Sequence, residues 1–146
     1  MSKTDVTLRP AEPADAGALT ALALQLGHHT TLLSDVRAQL EQPAEVRHTL
    51  LVAVLAGRVV GFVELEARVS LPVGRWAELT TLVVEESLRG RGVGSVLVEG
   101  ARAWALVQGL RRLRVRTRRE REATARFYEK AGFRLCKEQR VYDVEL

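Results

Sequence analysis

The β-branched run Leu82-Val83-Val84 passes through Glu85-Glu86-Ser87-Leu88-Arg89-Gly90-Arg91-Gly92-Val93-Gly94-Ser95 into a helical pattern, and this junction constrains the fold more than any other stretch. After Gly92 the apolar and small residues fall at Val93, Val96, Leu97, Gly100, Ala101 and Trp104, the spacing of one face of a helix. The glycine-rich turn therefore stands at a helix N-terminus. There the first backbone N–H groups lack intrahelical partners and the helix dipole leaves partial positive charge, so a phosphate or pyrophosphate is a natural ligand. Gly90, Gly92 and Gly94 remove the Cβ atoms that would hold a ligand off the backbone, and they permit positive φ.

Spacing separates the loop classes that compete for this stretch. A nucleoside-triphosphatase phosphate loop ends in Gly-Lys-Ser/Thr, but Gly94-Ser95 has no lysine between its residues. A dinucleotide fingerprint G-x-G-x-x-G begun at Gly90 meets Ser95 where glycine is required, and begun at Gly92 it meets Leu97. The pattern that fits is Arg-x-x-Gly-x-Gly, carried by Arg89, Gly92 and Gly94.

The 146 residues suit one domain, residues 1–146, able to bury roughly two-thirds of its unfolded surface. Val6 to Arg9 reads as a strand; Pro13 opens a helix with Leu19, Leu22, Ala23 and Leu26 inward, stopped by Gly27. A second helix follows Ser34 as its cap, turns Val36 and Leu40 inward and breaks at Pro43. His48 to Leu55 and Arg58 to Val69 predict a hairpin around Ala56-Gly57. In its second strand Val59, Gly61, Val63, Leu65 and Ala67 share one face, while Phe62, Glu64, Glu66 and Arg68 share the other. Trp76 to Val84 is the strand entering the glycine turn, and the helix after it ends near Gly109. Leu113 to Val115 predict a further strand, Glu122 to Lys130 a helix closed by Gly132, and Phe133 to Lys137 with Val141 to Val144 a final hairpin.

Ala123-Thr124-Ala125-Arg126-Phe127-Tyr128-Glu129-Lys130-Ala131-Gly132-Phe133 follows the Arg-x-x-Gly-x-Gly turn in the chain, and together the two segments resemble the GNAT superfamily of acetyl-CoA-dependent N-acetyltransferases, whose second signature is Phe-Tyr-Glu-Lys-x-Gly-Phe. The resemblance runs from the first strand to the last and is weakest over residues 28–50. It implies an α/β fold with a mixed, mostly antiparallel central sheet of about seven strands and about four flanking helices, splayed in the middle for CoA. It implies that backbone groups of Leu82, Val83 and Val84 pair with pantetheine. Amides of Arg89, Gly90, Arg91, Gly92, Val93, Gly94 and Ser95 would hold the pyrophosphate, helped by the guanidinium of Arg89 or Arg91. Arg121 stands where many members carry Asn; it has only donors, so its role in the cofactor site turns toward phosphate contact or is lost.

Acetyl transfer to an amine needs an uncharged amine, stabilisation of a tetrahedral oxyanion and a proton for the departing thiolate. Tyr128 holds the family's position for the proton donor. Glu78 lies on the strand entering the loop, at the interval before Arg89 where many members carry a carboxylate that acts as base through water; Glu64 and Glu66 are the alternatives, as is the absence of any single base. His28 and His29 border the acceptor site in the family's fold, and as chain neighbours they cannot both face one metal from a helix or strand, so no metal is expected.

A net charge of +4 fits a polyanionic ligand, and the acetyl-CoA co-substrate supplies one. Aromatic residues are scarce and do not interleave with the basic run from Arg111 to Arg121, which disfavours nucleic acid as a partner. No apolar run approaches a membrane span, Met1-Ser2-Lys3-Thr4-Asp5 leads into no signal-peptide core, and Cys136 stands alone, so the expected setting is the cytoplasm. The expected function is N-acetyl transfer to a primary amine of a small molecule or protein; its rival is a non-catalytic acyl-CoA-binding module on the same fold. The alternating tail Val141-Tyr142-Asp143-Val144 predicts a homodimer paired through late strands.

Overall fold

Alternating residues from His48 to Val84 form the centre of a single five-stranded sheet. The computed structural model describes residues 5–27, 32–42 and 48–146, and the chain divides into two units, residues 1–116 and 117–146. The first unit runs β1 (Thr7–Pro10), α1 (Ala16–Gln25), α2 (Leu33–Glu41), β2 (His48–Leu55), β3 (Arg58–Ser70), β4 (Gly74–Val84), α3 (Val93–Val107) and β5 (Leu113–Val115). Strand order follows chain order, antiparallel from β1 to β4, with β5 parallel to β4. The β2–β3 turn places Ala56 and Gly57 at φ 51° and 75°, the left-handed pair that matches a tight hairpin to the twist of its strands.

Each sheet face has its own cover. Leu19 and Leu22 of α1 pack with Val52, Phe62 and Val83, and Val36 and Leu40 of α2 extend that cluster. On the opposite face lies α3, where Leu97, Val98 and Ala101 are buried. Full burial of a leucine or valine side chain stabilises by about 1.5–3 kcal/mol, so α3 is held by its apolar stripe. Gly61 of β3 permits this approach, since a Cβ there would lie 2.8 Å from the Val83 carbonyl oxygen and 3.2 Å from Leu97.

Two register shifts alter the faces that plain alternation predicts. Between Ala53/Val54 and Gly61/Val59 the extra residue Val60 moves Val59 onto the α1 face, away from Gly61, Val63 and Leu65. In β4 the extra residue is Thr80: Glu64 opposes Thr81, whereas Leu65 opposes Leu79 and Glu66 opposes Glu78. Glu78 thereby shares a face with Glu64, Glu66 and Thr81.

Cap chemistry differs slightly from expectation at α2, which starts from Leu32, with Ser34 already inside the helix. Before α1, Pro13–Asp15 form a short turn in which the Glu12 N–H donates to Asp15 at 2.8 Å and Arg9 pairs with Asp15 at 2.7 Å. His28, His29 and Pro43 lie outside the described residues. No helix among those described is long and apolar enough to cross a membrane.

The second unit contains α4 (Glu122–Lys130), closed as expected by Gly132 at φ 99°, with the Phe133 N–H bonded to the Tyr128 carbonyl at 3.0 Å. The expected final hairpin is absent: residues 133–137 and 141–144 carry no strand pairing, which reduces the expected seven strands to five. Alternation specifies a face but not a partner strand. Leu135, Cys136, Val141, Tyr142 and Val144 are all exposed.

Candidate active site

Arg89 to Ser95 form the turn into α3 that the glycine spacing predicts. Gly90 and Gly92 adopt φ of 78° and 90°, backbone that residues with a Cβ adopt at a cost, and Gly92 is the left-handed N-cap of α3. The Val96 N–H reaches the Gly92 carbonyl at 3.2 Å, so the amides of Val93, Gly94 and Ser95 precede the first full helical bond. The turn is fastened on several sides: Glu85 N–H donates to the Val60 carbonyl at 2.8 Å, Glu86 N–H to the Gln25 side chain at 3.0 Å, and Arg58 forks onto Glu85 at 3.1 and 3.0 Å. Arg89 Nε lies 3.4 Å from the Val84 carbonyl oxygen.

Beside this turn the two parallel strands part. β5 pairs with β4 only at Ala77, Glu78 and Leu79, through Leu113, Arg114 and Val115. β4 runs on from Thr80 to Val84, through Leu82, Val83 and Val84, beyond its last β5 pair. Among the described residues, β3 is the strand that pairs with β4 along this stretch. The bulge residue Thr80 begins the same stretch and stands out of the β3 ladder. An extended, amide-bearing ligand can pair with such an edge, and its anionic end would then meet the α3 amides.

A polar network covers the sheet face next to the parting. Glu78, 3% exposed, accepts hydrogen bonds from Arg68 at 2.8 Å, Arg116 at 3.2 Å and the Trp76 ring N–H at 3.3 Å. Burial alone would raise its pKa, but bonds from Trp76, Arg68 and Arg116 outweigh it and hold the carboxyl below its ordinary value. Arg114 stacks over Trp76, its guanidinium carbon 5.2 Å from the ring centre. Two arginines of the basic run are thus built into the site.

Glu64 is engaged at both oxygens, with His48 Nε2 at 2.9 Å and the Thr81 hydroxyl at 2.9 Å. Burial again opposes the charge, and bonds from His48, Thr81 and Thr80 prevail to lower its pKa. Glu66 lies opposite His48 and Glu78 in the register. The sequence reading does not single out His48, because its partner lies sixteen residues away and only the β2–β3 register brings the two together. Among the described residues no group of three His, Cys, Asp or Glu side chains is arranged to hold a metal ion.

In the second unit Tyr128 is buried on α4, its ring edge-on to Phe127 at 5.1 Å and to Phe133 at 5.4 Å. Burial pushes its phenol up to about 12, so the hydroxyl keeps its proton throughout the physiological range. Arg121 is the N-cap of α4, and its carbonyl accepts the Ala125 N–H at 3.1 Å. The structure therefore places Leu82–Val84, Arg89–Ser95 and Glu78 together in the first unit, and Tyr128 with Arg121 in the second.

The sequence model of the acetyltransferase (GNAT) family matches residues 19–133, and the chain belongs to that family. Acyl transfer is the chemistry this membership supports. No curated protein sequence matches the chain. Among solved structures, a transcriptional regulator from Bacillus halodurans C-125 superposes with a TM-score of 0.82 at 26% identity, over 95% of this chain and 99% of that one. The aminoglycoside N-acetyltransferase AAC(6')-Iy in complex with CoA gives 0.83 at 20% identity, over 97% and 95%. Glucosamine-6-phosphate N-acetyltransferase from Arabidopsis thaliana gives 0.80 at 18% identity, over 96% and 99%. At such identities the enzymes share the fold.

Proposed function

We propose that the protein is an acetyl-CoA-dependent N-acetyltransferase that moves the acetyl group to a primary amine of a small molecule or protein by direct attack in a ternary complex. The observation that carries this reading is the parting of β4 from β5 after Leu79 and Val115, beside a turn whose glycines take left-handed φ at the start of α3. Backbone groups of Leu82, Val83 and Val84 pair with the pantetheine arm, and the amides of Arg89 to Ser95 receive the pyrophosphate. In this reading Arg121, the N-cap of α4, is a further phosphate contact or has lost the role that Asn has in many members. The solved relatives include acetyltransferases named for an aminoglycoside and for glucosamine-6-phosphate, both amine-bearing small molecules.

Glu64, Glu66 and Glu78 line one face of the sheet, and since Glu78 is already paired with two arginines, Glu64 and Glu66 are the part of it that attracts a cationic amine. Glu78 was the expected base, but with its oxygens taken by Arg68, Arg116 and Trp76 it serves this reading better as the anchor that fixes β3, β4 and the segment after β5 around the cleft. In this reading the Thr80 amide, at the bulge of β4, is the donor to the developing oxyanion. Tyr128, kept protonated, supplies the proton to the departing sulfur. The reading extends to a cytoplasmic homodimer paired through residues 141–144; light scattering that gives a mass near 16.2 kDa would exclude the dimer.

The test is calorimetric titration with CoA, followed by a panel of amines with free thiol as the signal. Saturable CoA binding with thiol release on an amine supports the reading. Absence of CoA binding overturns it. Binding without turnover on any amine selects the non-catalytic acyl-CoA module, which the likeness to a protein described as a transcriptional regulator favours.

A further inference from the structure

The geometry points to His48 as the base that takes the proton from the attacking amine, with Glu64 as the residue that positions its ring. The inference rests on the transferase reading and adds a residue to it. Both Glu64 oxygens act as acceptors, Oε2 toward His48 and Oε1 toward the donating Thr81 hydroxyl. An ionised carboxylate has no proton to give, so the Nε2 that faces it must carry the hydrogen. In the neutral imidazole this leaves Nδ1 bare, with a lone pair. A carboxylate behind one ring nitrogen thus makes the other a proton acceptor of fixed direction, the logic of base-and-orienter pairs generally.

Placement supports the assignment. Thr81 lies on the part of β4 that has lost its β5 neighbour, and Glu64 opposite it carries His48 across to β2, so the three side chains form a line leading away from the parting. The His48 side chain is 29% exposed, which leaves its ring a path to solvent. Among the described residues, this face also carries Glu66, opposite His48, Glu78, which pairs with Arg68 and Arg116, and Arg9 on β1, which pairs with Asp15. Neither Glu66 nor Glu78 stands between His48 and Glu64. Glu64 itself is a poor candidate for the base, with both oxygens engaged and its pKa lowered.

The step balances as follows. An ammonium substrate loses one proton to Nδ1 of His48, and His48 returns it to solvent. The neutral nitrogen bonds to the thioester carbon while the carbonyl π pair moves to oxygen. On collapse the C=O bond reforms and the C–S bond breaks, the sulfur receives a proton from Tyr128, and the second proton lost by nitrogen restores the phenol. One proton is released for each amide and thiol formed.

His48→Gln is the discriminating variant, because its terminal amide nitrogen can still donate to Glu64 while nothing replaces the Nδ1 lone pair. With an amine found by the panel, kcat/KM should fall by about a hundred- to ten-thousand-fold, the usual worth of one general base, while CoA affinity and Tm hold. Nitrogen NMR of the full-length protein, with His48 identified by its loss in His48→Gln, should show the Nε2-protonated tautomer, and Glu64→Gln should erode that preference. A rate within about threefold of the parent, or a Nδ1-protonated ring, overturns the assignment. An active parent with an equally active variant removes His48 alone; a parent that acetylates nothing in the panel removes the transferase reading and this assignment with it.

Discussion

At the scale of single residues, one buried carboxylate shows how register decides chemistry. The interval from Arg89 marks Glu78 as a candidate base, and that much is legible in the sequence. What the sequence does not carry is the Thr80 bulge, which turns Glu78 onto the face of Arg68 and within reach of Arg116. His48 escapes notice for a similar reason, since its meaning depends on a cross-strand partner that local spacing does not name. Glu78→Gln should lower stability by about 1–3 kcal/mol, the cost of weakening charged hydrogen bonds to partners that keep some solvent, measured by urea denaturation. A loss below about 0.5 kcal/mol, the usual effect of a surface substitution, would show that the anchor contributes little. Tyr128→Phe keeps the ring that meets Phe127 and Phe133 but removes the proton donor. Single-turnover transfer at saturating acetyl-CoA should slow by about a hundredfold or more, with CoA affinity unchanged. A purely structural tyrosine would instead lower stability and affinity together.

At the scale of elements, the strand–turn–helix from Leu82 to Trp104 was the most legible part of the chain because every signal in it is local. The β-branched run, the glycine spacing and the helical stripe each fix their own few residues, and they agree. The tail is the counter-case. Its alternation satisfies a strand pattern, yet a strand exists only where a ladder accepts it, and residues 133–146 find none. Gly92→Val tests the turn as an element. At φ 90° a β-branched side chain meets backbone strain of about 1–3 kcal/mol, and its bulk stands where a phosphate would approach the amides. Melting should shift downward and CoA binding should weaken more than Gly57→Val weakens it, since Gly57 has a similar left-handed φ in the β2–β3 turn. Equal loss of CoA affinity in both variants would show that strain, rather than obstruction of the site, is responsible. Gly61→Ala probes the sheet beneath α3, where a methyl would press on the Val83 carbonyl and Leu97; overpacking of this kind costs about 1–3 kcal/mol in a denaturation midpoint.

For the molecule as a whole, its carboxylates are fasteners, and this sets its response to acid. Asp15 joins β1 to the turn before α1, Glu64 joins β2, β3 and β4, and Glu78 joins β3, β4 and the segment after β5. All three have pKa values below their ordinary ones: in Asp15 the bond from Arg9 leads, while in Glu64 and Glu78 hydrogen bonds overcome the cost of burial. A lowered carboxylate binds fewer protons folded than unfolded at a pH near its ordinary value, so acid favours the unfolded chain. The stabilisation is complete above about pH 5, where these groups are ionised in both states, and drains away as pH falls through the lowered folded values. Each group that differs fully in protonation adds a slope of about 1.4 kcal/mol per pH unit. Urea midpoints between about pH 7 and pH 3 should therefore fall on the acid side, and Glu78→Gln should show a shallower fall than the parent, having no proton to take up. Since Glu78 borders the parting of β4 and β5, CoA affinity should weaken over the same acid range in the parent. Acid slopes for parent and Glu78→Gln that run parallel would show that this carboxylate carries none of the pH dependence.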